Sequence, residues 1–216
     1  MKKFLAICLT IICITTQTVS AQNDPKAKAV LEGVSKKINS LKSLKANFAL
    51  HLTDAKGKVK ETKKGSFSMK GRKYHVSLNG QEIICDTKTV WTYMKETNEV
   101  QVSAYNPNEQ TLSPDKLFTN FYDKEYSYKF VGEKKINGKN CDVLELMPLN
   151  KSKQFTKLEL VVDKATTTIS GGSYWEKNGN KYQYEISGFT PNATISDASF
   201  VFDKAAHPGV EVVDLK

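Results

Sequence analysis

The chain has 216 residues, of which 39% are hydrophobic and 10% aromatic, and its 32 Lys and Arg residues outnumber its 23 Asp and Glu residues. This apolar fraction supports a packed core, which excludes a disordered chain and a collagen-like repeat. Four cysteines are too few to staple a small disulfide-rich scaffold. The composition therefore predicts an ordinary globular protein and leaves its function open.

The first 21 residues predict a signal peptide. Two lysines precede an apolar run over residues 4–14, and residues 19–21 fit the small residues of a cleavage site. The run is shorter than the roughly 20 apolar residues that span a bilayer. We therefore expect a soluble, exported protein with a single domain over residues 22–216.

The basic character has an ordinary explanation. The formal net charge is +9, but the lysines are spread along every segment, as on solvated strand faces. Export argues against nucleic acid as a partner and leaves anionic membrane surfaces or acidic protein patches as alternatives. Arg72 stands apart because it is the single arginine in the sequence. Arginine replaces lysine where a planar fork of donors holds several acceptors at once.

Helical periodicity is found in two places. Asp24 and Pro25 provide a helix start. The apolar residues that follow recur at three- and four-residue spacing over about 17 residues: Val30, Leu31, Val34, Ile38 and Leu41. A second, shorter helix is predicted from Ser113 to Asp123, with Leu117, Phe118 and Phe121 on one side.

The rest of the chain alternates between apolar and polar residues in short runs. Turn signals such as Asn79-Gly80 and Asn137-Gly138 separate these runs, which is typical of an antiparallel meander. We count about eleven strands, the last of which carries Phe200 and Phe202. The fold class is mainly β, with a minor helical part.

The predicted sheet has more apolar surface than the helices can cover. Eleven strands at about 4.8 Å spacing give a width of roughly 50 Å, whereas two helices cover about 20 Å. The sheet must therefore curl into an incomplete antiparallel β-barrel with a helical lid. Its interior is either a hydrophobic cavity or is filled by the protein's own aromatic side chains, and composition alone does not choose between them.

The sequence lacks the usual signs of catalysis. His51, His75 and His207 are far apart, and no metalloprotease, nucleophile-elbow or phosphate-loop motif is present. We therefore expect no enzyme, no metal and no cofactor. Cys85 and Cys141 would remain after cleavage, either as a disulfide or as buried thiols.

Several segments resemble the LolA family of outer-membrane lipoprotein carriers. Residues 86–93, Asp-Thr-Lys-Thr-Val-Trp-Thr-Tyr, are similar to the family's Asp-Gly-Lys-x-Leu-Trp-x-Tyr segment. Phe48 at the end of residues 43–48 resembles the family's first strand. Residues 200–202 and 208–212 resemble its closing Phe-x-Phe and Pro-x-Gly-Val-x-Val motifs. The resemblance covers nearly the whole chain beyond the signal peptide.

The resemblance implies a monomeric periplasmic chaperone for protein transport. Such a carrier takes acylated lipoproteins from an inner-membrane ABC transporter and delivers them to an outer-membrane acceptor. A sensor, or a carrier of another amphiphile, with the same LolA/LolB-like half-barrel is the alternative.

The resemblance also suggests site residues. An arginine early in the family's sheet tethers the lid, and Arg72 occupies the corresponding segment, although the family's proline is absent. The candidates for lining the acyl cavity are aromatic: Phe48, Phe67, Tyr74, Trp91 and Tyr93. The lid would contribute an apolar stripe made of Val34, Ile38, Leu117, Phe118 and Phe121.

Overall fold

The computed structural model of the protein describes residues 23–106 and 122–216. The predicted signal peptide and the predicted second helix therefore lie outside the described residues, except for the last few positions of that helix. Within the described part, no helix has the length and hydropathy of a membrane span.

The described chain forms two α-helices and a sheet of twelve strands. The helices are α1 (Pro25–Asn39) and the single turn α2 (Tyr122–Glu125). The first six strands are β1 (Leu44–Thr53), β2 (Val59–Lys70), β3 (Lys73–Leu78), β4 (Gln81–Cys85), β5 (Thr89–Met94) and β6 (Glu99–Ala104). The remaining six are β7 (Tyr126–Ile136), β8 (Lys139–Pro148), β9 (Phe155–Asp163), β10 (Thr168–Glu176), β11 (Lys181–Pro191) and β12 (Glu211–Asp214).

The sheet is open and consists of two joined meanders. Its strand order is β12-β6-β5-β4-β3-β2-β1-β11-β10-β9-β8-β7, so that β1 and β11 join the two halves. The edge strands β12 and β7 do not pair with each other, and the barrel stays incomplete. The predicted half-barrel is thus confirmed. Consecutive strands β6 and β7 lie near opposite edges of the sheet.

Two details of the sequence prediction are wrong. Phe200 and Phe202 do not form a strand, because Phe200 ends a 3-10 helix over Asp197–Phe200 whose N-terminus is capped by the Ser196 hydroxyl. The twelfth strand is β12, and it pairs with β6 in parallel rather than antiparallel fashion. The Asn98 carbonyl accepts from the Glu211 amide and thereby joins β12 to the sheet.

Helix α1 packs one face against the sheet. Its buried residues recur at helical spacing, and Leu31, Val34 and Ile38 are each at most 4% exposed. They join the main apolar cluster with Leu144 and Leu160 of the sheet. We call this side of the sheet the helix face and the other side the opposite face.

Asp24 attaches the start of α1 to the edge strand β7. Its Oδ1 accepts hydrogen bonds from the amides of Lys26 and Ala27 at 2.8 and 3.2 Å, and its Oδ2 accepts from the Phe130 amide at 2.9 Å. The Phe130 hydrogen bond is the largest influence on the Asp24 pKa, and burial opposes it, with a net lowering from 3.8. One carboxylate therefore stabilises the helix N-terminus and a strand edge together.

Replacing Asp24 with alanine is expected to lower the melting temperature. The pKa of Asp24 in the folded protein lies below its ordinary value of 3.8. The ionised carboxylate therefore stabilises the fold above pH 3.8, and this stabilisation is lost as the pH falls through the folded-state pKa of Asp24. The wild-type and variant melting curves should therefore differ at pH 7 and converge in acid. Asp24→Asn retains one carbonyl oxygen and should give an intermediate loss; a difference between wild type and Asp24→Ala that does not depend on pH would contradict this role.

The opposite face has its own smaller cluster. Tyr93, Val100, Val102 and Val210 are buried there. Cys85 belongs to the helix-face cluster, whereas Cys141 alternates with the helix-face residue Asp142 along β8 and lies on the opposite face. Both are buried thiols and do not form a disulfide with each other.

Candidate functional site

Burial is uneven across the helix face. Under α1, the apolar residues of β8 and β9 are at most 3% exposed: Leu144, Leu146, Leu158, Leu160 and Val162. On the other half of the same face, ten apolar residues are only half-buried: Phe48, Leu50, Leu52, Val76, Leu78, Ile83, Val90, Met94, Tyr184 and Ile186. Other apolar residues of the same half are buried, among them Leu44, Phe67 and Tyr74. We call the ten half-buried residues the half-buried patch, and partly exposed apolar side chains gathered on one face are a candidate binding surface.

The ring of Phe48 lies against a glycine in the middle of the patch. Phe48 pairs with Gly65 across β1 and β2. A Cβ atom at Gly65 would come within 2.6 Å of the Phe48 ring and would also overlap the Ser77 carbonyl oxygen. Side chains on a sheet normally stand away from it. Glycine at position 65 therefore lets the ring lie low over the sheet.

Tyr184 repeats this arrangement on the neighbouring strands. It pairs with Gly172 across β11 and β10, and a Cβ atom at Gly172 would come within 2.6 Å of the Tyr184 hydroxyl. The hydroxyl is buried and has no hydrogen-bond partner within the described residues. Burial, with a smaller contribution from Glu159, raises the pKa of Tyr184 far above its usual value, so the hydroxyl stays protonated.

Three of the predicted cavity residues share the helix face. Phe67 and Tyr74 are 8% and 4% exposed and belong to the main cluster, and Phe48 packs against it. Phe48 is therefore at the surface of the patch, while Phe67 and Tyr74 support it from within the packed core. Sequence reasoning missed Gly65, Gly172 and Tyr184, because their importance depends on cross-strand register.

The other two aromatic candidates lie on the opposite face of the sheet. Trp91 and Tyr93 alternate with Val90, which packs on the helix face. The Tyr93 ring instead contacts Phe202 and His207, with centroids 5.5 and 4.5 Å away. These residues hold the C-terminal segment and do not line the half-buried patch.

Arg72 lies in the exposed turn between β2 and β3. Its Nη2 donates a hydrogen bond of 2.8 Å to the Tyr105 hydroxyl, and its guanidinium carbon is 5.5 Å from the centre of the Tyr105 ring. Lys70 and Lys73 on either side of the turn both contact the Asp197 carboxylate, at 3.2 and 3.1 Å. The turn is thus fixed at its base, and Arg72 reaches the residue just beyond β6.

The predicted lid is only partly described. Val34 and Ile38 pack against the sheet in the main cluster, whereas Leu117, Phe118 and Phe121 lie outside the described residues. The residues on either side of that segment are informative, because Tyr122 is buried in the helix-face cluster and Tyr105 packs against it. The two described residues that flank this segment, Tyr105 and Tyr122, therefore both lie on the helix face.

A separate groove of about 980 Å³ lies on the opposite face. Many of its lining residues are small or polar, among them Asn47, Ala49, Ser66, Ser77, Gly171, Ser173, Gln183 and Ser187, with Lys64, Lys139, Glu159 and Glu185. The same lining also includes Phe48, Ile136, Val161, Tyr184 and Ile186, so the groove is mixed in character. Within residues 23–106 and 122–216, no set of three His, Cys, Asp or Glu side chains is placed to hold a metal ion.

Comparison with known families decides the relationship. The family model described as "Outer membrane lipoprotein carrier protein LolA" matches residues 39–203. The chain belongs to the LolA family. Members of this family are carriers rather than enzymes, and the LolA half-barrel accounts for the open sheet.

Individual relatives are distant. The chain is 26% identical to an outer-membrane lipoprotein carrier protein of Histophilus somni over 94% of this chain and 93% of the relative. It is 25% identical to an uncharacterized protein of Methanocaldococcus jannaschii, of which it spans only 51%. A solved structure of an uncharacterized conserved protein from Thermus thermophilus shares the fold, with a TM-score of 0.60, 14% identity, and coverage of 87% of this chain and 98% of that one.

Proposed function

We propose that this LolA-family protein is a periplasmic chaperone that holds the acyl chains of lipoproteins on the half-buried patch and shuttles them from the inner to the outer membrane. Its donor would be an inner-membrane ABC transporter and its recipient an outer-membrane acceptor. The signal-peptide pattern of the first 21 residues supports the location.

The half-buried patch is the main support for this function. It is continuous with a packed core, it is apolar across several strands, and glycines at positions 65 and 172 keep two aromatic rings low on its surface. Acyl chains need a broad apolar floor rather than convergent polar groups. The patch supplies such a floor.

Cargo release requires a competitor for the patch. Burying a 16-carbon chain is worth about 12 kcal/mol at ~0.8 kcal/mol per methylene, and two or three such chains would exceed any known noncovalent affinity. An apolar segment of the protein that covers the patch when it is empty would lower the net affinity. The predicted stripe of Leu117, Phe118 and Phe121 is our candidate for this cover, whereas Val34 and Ile38 of the same predicted stripe pack in the core under α1.

The purified protein is expected to bind a fluorescent fatty-acyl probe at micromolar concentration, and a triacylated peptide should displace it. Ile83→Gln on the patch should weaken probe binding about tenfold, because one aliphatic contact is replaced by a polar one. Val212→Gln is the matched control, since Val212 is 45% exposed and lies on β12, outside the patch. Equal affinities for both variants, or no binding by wild type, would contradict the proposed site.

Mass spectrometry of molecules that copurify from the periplasm would identify the cargo. Triacylated or diacylated lipoproteins would support the shuttle, whereas another lipid class would favour the amphiphile-carrier alternative. Neither result needs a protein variant for its interpretation.

A further inference from the structure

The groove on the opposite face has no part in the proposed carrier function. A smaller hollow of about 450 Å³ adjoins it, and the two share four lining residues: Asn47, Ser66, Ser77 and Gly188. We call the two hollows together the trough. Its lining residues come from six neighbouring strands, in the order β9, β10, β11, β1, β2 and β3. At about 4.8 Å per strand the trough is about 24 Å long, which suits an extended ligand.

One hydroxyl group of the trough is almost enclosed and has no partner. Ser173 is 3% exposed, and its side chain makes no hydrogen bond within residues 23–106 and 122–216. The fully sealed side-chain atoms without a partner in that part of the chain belong to Asp142 and Tyr184, not to Ser173. Because Ser173 lines the trough, its remaining exposure opens there. Buried hydroxyls in native proteins are nearly always paired, so a ligand in the trough would supply the missing partner.

Ser173 lies in a row of polar side chains. Its cross-strand neighbours are Glu159 on β9 and Gln183 on β11, and all three line the trough. The carboxylate accepts hydrogen bonds, whereas the hydroxyl and the amide both donate and accept them. Glu185 and Lys64 add one charge of each sign to the same lining. The row therefore fits a ligand that donates and accepts at many points and carries no net charge.

We propose that the trough binds a neutral oligosaccharide, at a site separate from the half-buried patch. Each sugar hydroxyl both donates and accepts, so one sugar chain can pair with the carboxylates, hydroxyls and amides of the lining together. The apolar members of the lining, such as Ile136 and Val161, suit the C–H surfaces of sugar rings. This mixture of a few polar groups with apolar contacts is typical of small-molecule sites.

An extended peptide fits the trough less well. Peptides bind to sheets most often by adding a strand at an exposed edge. The strands under the trough are interior strands of the sheet, and their backbone groups already pair with neighbouring strands on both sides. A peptide in the trough would therefore have no backbone partners on the sheet, whereas a sugar needs only side chains.

Isothermal titration calorimetry with chitotetraose and with maltotetraose tests the proposal. Wild type should bind at least one of them with a Kd below about 1 mM. Ser173→Ala removes the enclosed hydroxyl and should weaken this binding about three- to tenfold, the range of one net hydrogen bond. Ser66→Tyr should abolish binding, because Ser66 is exposed and lines both hollows, so that the larger side chain would fill the trough.

Ser127→Tyr is the matched control. Ser127 alternates with Tyr126 and Tyr128 of the main cluster, so it lies on the opposite face, and it lines neither hollow. This variant should bind the sugar as wild type does. Ser66→Tyr should keep the affinity of wild type for the fluorescent acyl probe, which reports both its folding and the independence of the two sites.

Three results would overturn the proposal. They are a wild type that binds neither sugar, a Ser173→Ala variant with unchanged sugar affinity, and equal sugar binding by Ser66→Tyr and Ser127→Tyr. Binding of an extended Ser-Gly-Asn decapeptide in place of both sugars would assign the trough to peptides and would also overturn it. Failure of wild type to bind the acyl probe would reject the proposed carrier function and leave the trough proposal standing.

Discussion

Gly172→Ala is expected to reduce the free energy of unfolding by about 3 kcal/mol and to weaken acyl-probe binding. The new methyl group would overlap the Glu159 carbonyl oxygen on the neighbouring strand, which is backbone and cannot move away cheaply. It would also displace the Tyr184 ring from its low position on the patch. Urea denaturation and probe titration of the same preparation would measure the two effects.

Gly33→Ala is the matched control for this prediction. Gly33 lies in α1, and a Cβ atom there would meet only the Thr167 side-chain methyl, at 3.3 Å. Alanine also favours the helix by up to about 1 kcal/mol over glycine. This variant should be as stable as wild type or more stable. If Gly172→Ala behaved in the same way, the close packing of β9, β10 and β11 described above would be refuted.

Arg72→Leu is expected to leave the fold intact but to slow the transfer of lipoprotein to the acceptor by about tenfold. The variant loses the hydrogen bond to the Tyr105 hydroxyl and the contact with the Tyr105 ring, and a hydrogen bond to a charged group is worth about 1.5–3 kcal/mol. Tyr105 is the last described aromatic residue before the segment proposed above as the cover, so under that proposal losing this contact would loosen the cover. Transfer in a membrane-vesicle assay is the measurement.

Two further variants separate charge from geometry at this position. Arg72→Lys retains the charge but lacks the planar fork of donors, so we expect most of the defect to remain. Tyr105→Phe keeps the ring and removes the hydroxyl, and it should give a partial defect. Wild-type transfer by Arg72→Leu would reject a tethering role for this arginine.

The sequence alone was sufficient for the first helix, most of the strands and the family. Three predicted features depend only on residues that are close together in the chain, and the structure contains them. They are the helix start at Asp24 and Pro25, the apolar stripe of α1 and the alternation of the strands. Even the openness of the sheet followed from comparing the apolar width of the strands with the width of the helices.

Only the tertiary structure decided which side of the sheet each residue occupies. Alternation shows that Trp91 and Tyr93 share a face but does not say which one, and the structure places both with the smaller cluster on the opposite face. The parallel return of β12 depends on backbone contacts with Asn98, which is more than 100 residues earlier in the chain. No local pattern reports such a contact.

The floor of the patch shows the same limit most clearly. Phe48 and Gly65 are on different strands, as are Tyr184 and Gly172, and each ring meets its glycine only through the register of the sheet. In the sequence these glycines look like weak points of a strand. Composition and periodicity in the sequence therefore determined that one face of the sheet is apolar. Where a ligand could lie on that face depends on the register between distant strands, and register exists only in the assembled sheet.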